Sequence, residues 1–330
     1  KKARILSFYV QKILEMEITM SKKKKILISF LTLILVVVGG ILGYAANYLV
    51  TYAFDNPHRT EKQLKSKGQE RIDQEWLSKQ KDGSQWAMRA QDTNQKLVAF
   101  YYPAKKATKK TIVVAHGYQG SHYTMASYIR MFHEKGYNVL APDDRGSGQS
   151  QGRYVTFGYP DSRDYLIWVQ RVIAKNGRDS QIGLFGVSMG GATVMMMSGL
   201  KLPHQVKAIV EDCGYDTVAN ELTYQLKQQF NMPKEPLITL SLLIARFRVG
   251  HNFTEASSVN ALHKNRLPVL FIHGQKDTFV PTKMFYNNFK ATEGEKYLWI
   301  TTNTKHADSL KNYPHKYRQK VGQFYDKFWQ

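Results

Sequence analysis

Gly186-Val187-Ser188-Met189-Gly190 places a serine between two glycines in the pattern G-x-S-x-G. A chance match is expected roughly 0.1 times in a chain of this length. Here the pattern follows an apolar run, Gln181–Val187, and opens a segment rich in small residues, Gly190, Gly191 and Ala192. A sharp strand-to-helix turn would present the Ser188 hydroxyl, and it needs small neighbours where the backbone passes closely. A serine hydroxyl is a weak nucleophile, so it requires a base and a group that orients the base. Behind such a turn the acid and the histidine follow in that order. Asp277 lies just beyond the run PVLFIHG, and His306 lies in Thr304-Lys305-His306-Ala307-Asp308, after the run YLWIT. Both therefore sit on loops at strand ends, where catalytic side chains are displayed.

The developing oxyanion of acyl transfer needs two aimed N–H groups. Met189 N–H, at the helix start, is one candidate. Tyr118 N–H is the other, from the loop His116-Gly117-Tyr118-Gln119-Gly120-Ser121 that follows the run TIVVA. The Tyr118 side chain is a candidate pocket wall. Asp212, at the end of VED, is an alternative acid, and Cys213 beside it reads as a buried thiol. The Gly-rich stretch from Asp143 to Gly152 has G-x-G-x-x-x-G spacing, so it reads as a structural loop bordering the site. No paired-histidine metal spacing and no phosphate-binding loop is present, so neither cofactor nor metal is expected.

Short apolar runs must position these residues. They fall at 111–115, 137–142, 181–187, 206–210, 268–273 and 296–301, with helical spacing at 122–135, 161–175 and 312–329. Asp92-Thr93-Asn94 reads as a hairpin turn between two further runs. Such alternation predicts an α/β fold with a mostly parallel sheet covered on both faces. Residues 217–266 break it with a helical excursion punctuated by Pro233 and Pro236, long enough to be a cap.

The chain has 330 residues, ample for a large core. Its one cysteine excludes a disulfide framework or a cysteine-based zinc finger. Residues 26–54 hold no Asp, Glu, Lys or Arg, more than the ~20 residues a bilayer span needs. Lys22 to Lys25 precede the run and favour a cytoplasmic N-terminus with the rest of the chain outside. The length of the run favours an uncleaved signal anchor, although Gly43-Tyr44-Ala45-Ala46 resembles a weak cleavage site. Gly39 and Gly43 form a GxxxG pair, common in membrane spans. Residues 1–19, ahead of Met20, read as an extension without assigned function.

With 47 Lys and Arg against 26 Asp and Glu, the net charge is +21, of which residues 1–25 carry six. The remaining fifteen suit an anionic lipid surface or cell-wall polymer as partner. Without a recognisable binding module they do not indicate nucleic acid.

Taken together, HGYQGS, DDRGSGQSQG, GVSMGG, HGQKDTFVP and KHAD resemble the α/β-hydrolase superfamily, and within it the membrane-anchored cell-surface serine hydrolases of Gram-positive bacteria. The resemblance spans about residues 80–330. It implies Ser188 as nucleophile, Asp277 as acid and His306 as base, under a cap formed by residues 217–266. The expected organisation is a basic cytoplasmic segment (1–25), a transmembrane helix (26–54), a stalk or leading helix (55–84) and a hydrolase domain (85–330). The expected substrate is a small acyl ester or thioester. Peptidase, acyltransferase and non-catalytic binding roles are the alternatives.

Overall fold

The computed structural model describes residues 21–56 and 67–329. The N-terminal extension through Met20 and residues 57–66 of the expected stalk lie outside them. The described chain runs α1 (Lys22–Phe54), α2 (Gly68–Ser78), β1 (Ser84–Arg89), β2 (Lys96–Tyr102), β3 (Lys110–Ala115), α3 (Ala126–Glu134), β4 (Asn138–Asp143) and α4 (Asp161–Asn176). It continues through β5 (Gln181–Val187), α5 (Met189–Ser198), β6 (Val206–Asp212), α6 (Val218–Phe230), α7 (Leu237–Val249) and α8 (Ser258–Leu262). It ends with β7 (Val269–Gly274), α9 (Thr282–Ala291), β8 (Lys296–Thr301), α10 (Ser309–Asn312) and α11 (Pro314–Phe328).

The eight strands form one sheet in the order β1-β2-β4-β3-β5-β6-β7-β8. β1 and β2 are antiparallel to each other, and β2 is antiparallel to β4. All other neighbours are parallel. The inner parallel strands β3, β5, β6 and β7 are almost wholly buried and rich in Val, Ile, Leu and Phe, as expected when helices cover both faces. One face packs Phe132 of α3 and Tyr325 of α11 against Phe185 and Ile112. The other packs Trp168 of α4, Val194 of α5 and Phe285 of α9 against Leu184 and Phe271. β3 sits between β4 and β5, so the chain moves one way from β3 and returns on its other side. That reversal is where a crevice opens beyond the carboxyl ends of the strands.

A third apolar cluster lies above this edge. It joins Met189 of α5 and Tyr215 to Leu226 of α6, Ile238 and Leu242 of α7, Phe253, and Val50 and Phe54 of α1. Two expectations change here. The excursion closes at the Thr217–Ser257 bridge, and Leu262 of α8 belongs to the sheet's own core. The part standing over the edge is therefore α6, α7 and their connections, and residues 258–266 return to the domain.

The expected boundary at residue 54 also fails to separate anchor from domain. Every residue from Lys22 to Ile41 is exposed, but Ala46, Val50 and Phe54 are buried. Arg248 of α7 donates to Asn47 Oδ1 (2.9 Å) and Thr51 Oγ1 (2.8 Å) and pairs with Asp55 (3.2 Å). Val155 N donates to Phe54 O at 2.7 Å, and the Phe54 ring packs edge-on against Phe157 and Phe253. The last third of α1 is therefore part of the folded domain, because its apolar face completes the third cluster. After residue 67 the chain resumes as α2, whose Trp76 and Leu77 pack on the domain core.

Candidate active site

Ser188 stands between β5 and α5 with φ 57° and ψ −119°, outside the regions that L residues favour. Close packing enforces this turn. A Cβ on Gly186 would lie 2.1 Å from Gly190 O, and one on Gly190 would lie 2.1 Å from Ala115 O. The glycines let β5, α5 and β3 crowd together, and the crowding holds the serine in its strained conformation. Gly190→Ala is accordingly expected to lower stability by about 1–3 kcal/mol or to prevent folding, because the opposing atom is backbone and has no rotamer to yield. Thermal unfolding followed by circular dichroism checks this.

Three side chains converge from the strand ends. His306 Nε2 lies 2.8 Å from Ser188 Oγ, and His306 Nδ1 lies 2.7 Å from Asp277 Oδ2. Asp277 Oδ1 accepts from the backbone N–H groups of Phe279 and Val280, each at 2.9 Å. The carboxylate is thus fixed at both oxygens. With Asp277 ionised, Nδ1 carries the proton and Nε2 is free to accept one from Ser188. The Phe279 ring packs 4.9 Å from the imidazole. Asp212 bonds instead to the Tyr317 hydroxyl at 2.8 Å, and burial pushes its carboxyl up to about 7. Cys213 is fully buried beside it.

Met189 is the first residue of α5, so its N–H has no acceptor within the helix. The facing loop is set by His116, a residue whose type alone gave no positional signal. His116 Nε2 accepts from Asp144 N at 3.0 Å, so its Nδ1 donates to Gly117 O at 2.8 Å. Burial pulls the His116 pKa down and keeps the ring neutral. The Tyr118 side chain reaches away to α1, where its hydroxyl donates to Ala53 O at 2.7 Å. In the neighbouring Gly-rich loop, Asp143 accepts from His122 N, His122 Nδ1 and Gln149 N, a structural use of its carboxylate.

Two hollows meet at Ser188. One, of about 410 Å3, is apolar and walled by α1 (Leu49, Tyr52, Ala53, Phe54), the cap and Met189. The other, of about 1080 Å3, mixes charged and polar groups with apolar ones and also reaches His306, Asp308 and Arg318. The α1 wall was invisible to motif reading. Its trace in the sequence is the length of the charge-free run, which exceeds what a span requires.

Glu221 of α6 also lines the apolar hollow, buried, with Oε2 unpaired. Burial, reinforced by Asp277 and Asp216, pushes its carboxyl up to about 8. The folded chain therefore holds this proton more tightly than the unfolded chain. Between pH about 4.5 and about 8 the unfolded state ionises first, so stability falls as pH rises through that window. Glu221→Gln is expected to reduce the loss in Tm between the two ends of the window by several degrees, with little change at the acidic end. Calorimetry of both proteins across the window checks this.

A sequence model of the α/β-hydrolase fold matches residues 110–236. An uncharacterised Bacillus subtilis protein, YqkD, is 29% identical over 226 residues, covering 68% of this chain and 74% of its own. A putative esterase/lipase of Mycoplasma pneumoniae is 25% identical over 244 residues, covering 64% and 85%. Among solved structures, a Pyrococcus furiosus esterase superposes with a TM-score of 0.60 at 22% identity, covering 75% of this chain and 92% of that one. Strand order, the strained turn at Ser188 and the sequence match agree, and this chain has the α/β-hydrolase fold.

Proposed function

We propose that this protein is a membrane-tethered serine hydrolase that cleaves carboxylic esters or thioesters through an acyl-enzyme. The observation that carries the reading is the continuous hydrogen-bonded relay Asp277–His306–Ser188 at the mouth of an apolar hollow. His306 Nε2 takes the Ser188 proton as Oγ attacks the carbonyl carbon. The carbonyl electrons move onto oxygen, which the N–H groups of Tyr118 and Met189 stabilise. As the tetrahedral intermediate collapses, His306 protonates the departing alcohol or thiol. Water, deprotonated by the same imidazole, then attacks the acyl-serine, and collapse returns the proton to Ser188. Asp277 holds the ring and stabilises its cation. The name of the Mycoplasma relative supports an ester as the scissile group.

Helix α1 supports tethering, since Lys22–Phe54 is 33 residues long with a mean hydropathy of 2.8 in its most apolar window. The lysines before it favour an external hydrolase domain, whose positive charge suits an anionic surface. A panel of p-nitrophenyl esters against aminoacyl and peptidyl amides tests the reaction class. Ester turnover without amide turnover is expected, and the opposite preference overturns the assignment to esters.

A further inference from the structure

The membrane helix does more than tether. Counting from Ile26 to Tyr44, its uncharged, mostly apolar part rises about 28 Å, close to the ~30 Å hydrocarbon thickness of a bilayer. Tyr44, Tyr48 and Tyr52 then follow at four-residue spacing on one face, and all three are at least half exposed. Tyrosines in such a stripe mark the headgroup level. Leu49 begins the wall of the apolar hollow only five residues, or about 8 Å, beyond Tyr44. Tyr52 belongs to the stripe and to that wall at once. The same helix is bonded to the reaction centre, since Ala53 O accepts from Tyr118 of the loop facing Ser188.

On the hydrolase reading above, we infer that the substrates are single-chain acyl lipids drawn from the bilayer, with the acyl chain lying in the hollow between α1 and the cap and the polar alcohol in the second cleft. Three observations converge on this class. The hollow lies within the ~300–1,000 Å3 range of ligand pockets and is lined mainly by apolar groups. One of its walls is the helix that would cross the membrane. The cleft on the other side of Ser188 is the more polar of the two and includes charged side chains such as Asp73, Arg130 and Arg318, which can offer hydrogen-bond partners to a glycerol or comparable alcohol. Glu221, the acidic residue lining the hollow, is held protonated by burial near neutral pH, so it adds no charge there.

The test uses the full chain reconstituted in phospholipid vesicles, with p-nitrophenyl esters from acetate to dodecanoate and with monododecanoyl glycerol in the bilayer. In the wild type, kcat/KM is expected to rise about threefold to fourfold for each methylene the hollow accepts. Leu49→Trp, which fills the hollow from α1, is expected to cut the dodecanoate-to-acetate ratio at least about tenfold on the same scale. Leu222→Trp fills it from the cap and serves if the α1 variant does not fold. Tyr44→Ser, outside the hollow, is expected to slow hydrolysis of the vesicle-borne glyceride while acetate turnover stays unchanged. Acetate turnover with a flat chain-length series, or with ratios indifferent to both Trp variants, overturns the lipid inference and leaves the hydrolase reading standing. Failure of the wild type to hydrolyse any ester overturns both.

Discussion

Ser188→Ala is expected to lower kcat for ester hydrolysis by about a million-fold with KM little changed. On the proposed mechanism the Oγ makes the bond that defines the acyl-enzyme, and among the described residues its hydrogen-bond partner is His306. Alanine takes the same strained turn with no bulkier side chain, so the fold is expected to persist and circular dichroism to be unaltered. A small residual rate from the aimed N–H groups is also expected, because they act on the carbonyl whether or not the serine is present. Single-turnover kinetics on an activated ester checks this, since the burst of released alcohol must vanish with the hydroxyl.

Asp277→Asn is expected to cost about 10⁴ in kcat at neutral pH, and the geometry explains why. The Phe279 and Val280 N–H groups both point at one carboxylate oxygen. An asparagine must keep its carbonyl there, which turns its NH2 toward His306 Nδ1. Nδ1 then becomes an acceptor, the proton moves to Nε2, and the ring meets Ser188 with a donor where a base is needed. Asp212→Asn supplies the contrast, because Asp212 bonds to Tyr317 and not to the imidazole. Its effect on kcat is expected to be within about tenfold, roughly what a positioning change costs and far below the loss of the correct tautomer. Initial rates for the two variants, measured side by side, decide which carboxylate serves the histidine.

Much of this arrangement is written in local patterns. The strand Gln181–Val187 is a continuous apolar run ending in a glycine-flanked serine, and a buried parallel strand leaves that mark. α4 from Asp161 shows its buried face in Tyr165, Trp168, Val169 and Val172 at helical spacing. The loops bearing Asp277 and His306 follow β7 and β8, so their meeting at Ser188 follows once the strands lie side by side. What the sequence hides is dictated by partners distant along the chain. Ala46, Val50 and Phe54 look like three more residues of a membrane helix until α7 and Phe157 are placed against them. Leu262 reads as part of the cap because nothing local says that α8 has returned to the sheet. His116 looks like any loop histidine, and its part in shaping the loop depends on a backbone N–H 28 residues further on.

The central claim is that one hydroxyl, that of Ser188, becomes covalently acylated. Intact-mass analysis of the full chain after treatment with a fluorophosphonate, followed by peptide mapping, tests it most directly. The account predicts a single adduct on the peptide carrying Gly186–Gly190, lost in Ser188→Ala and sharply slowed in a His306→Ala variant. A folded wild-type protein that stays unmodified, or that is modified at another residue, contradicts it.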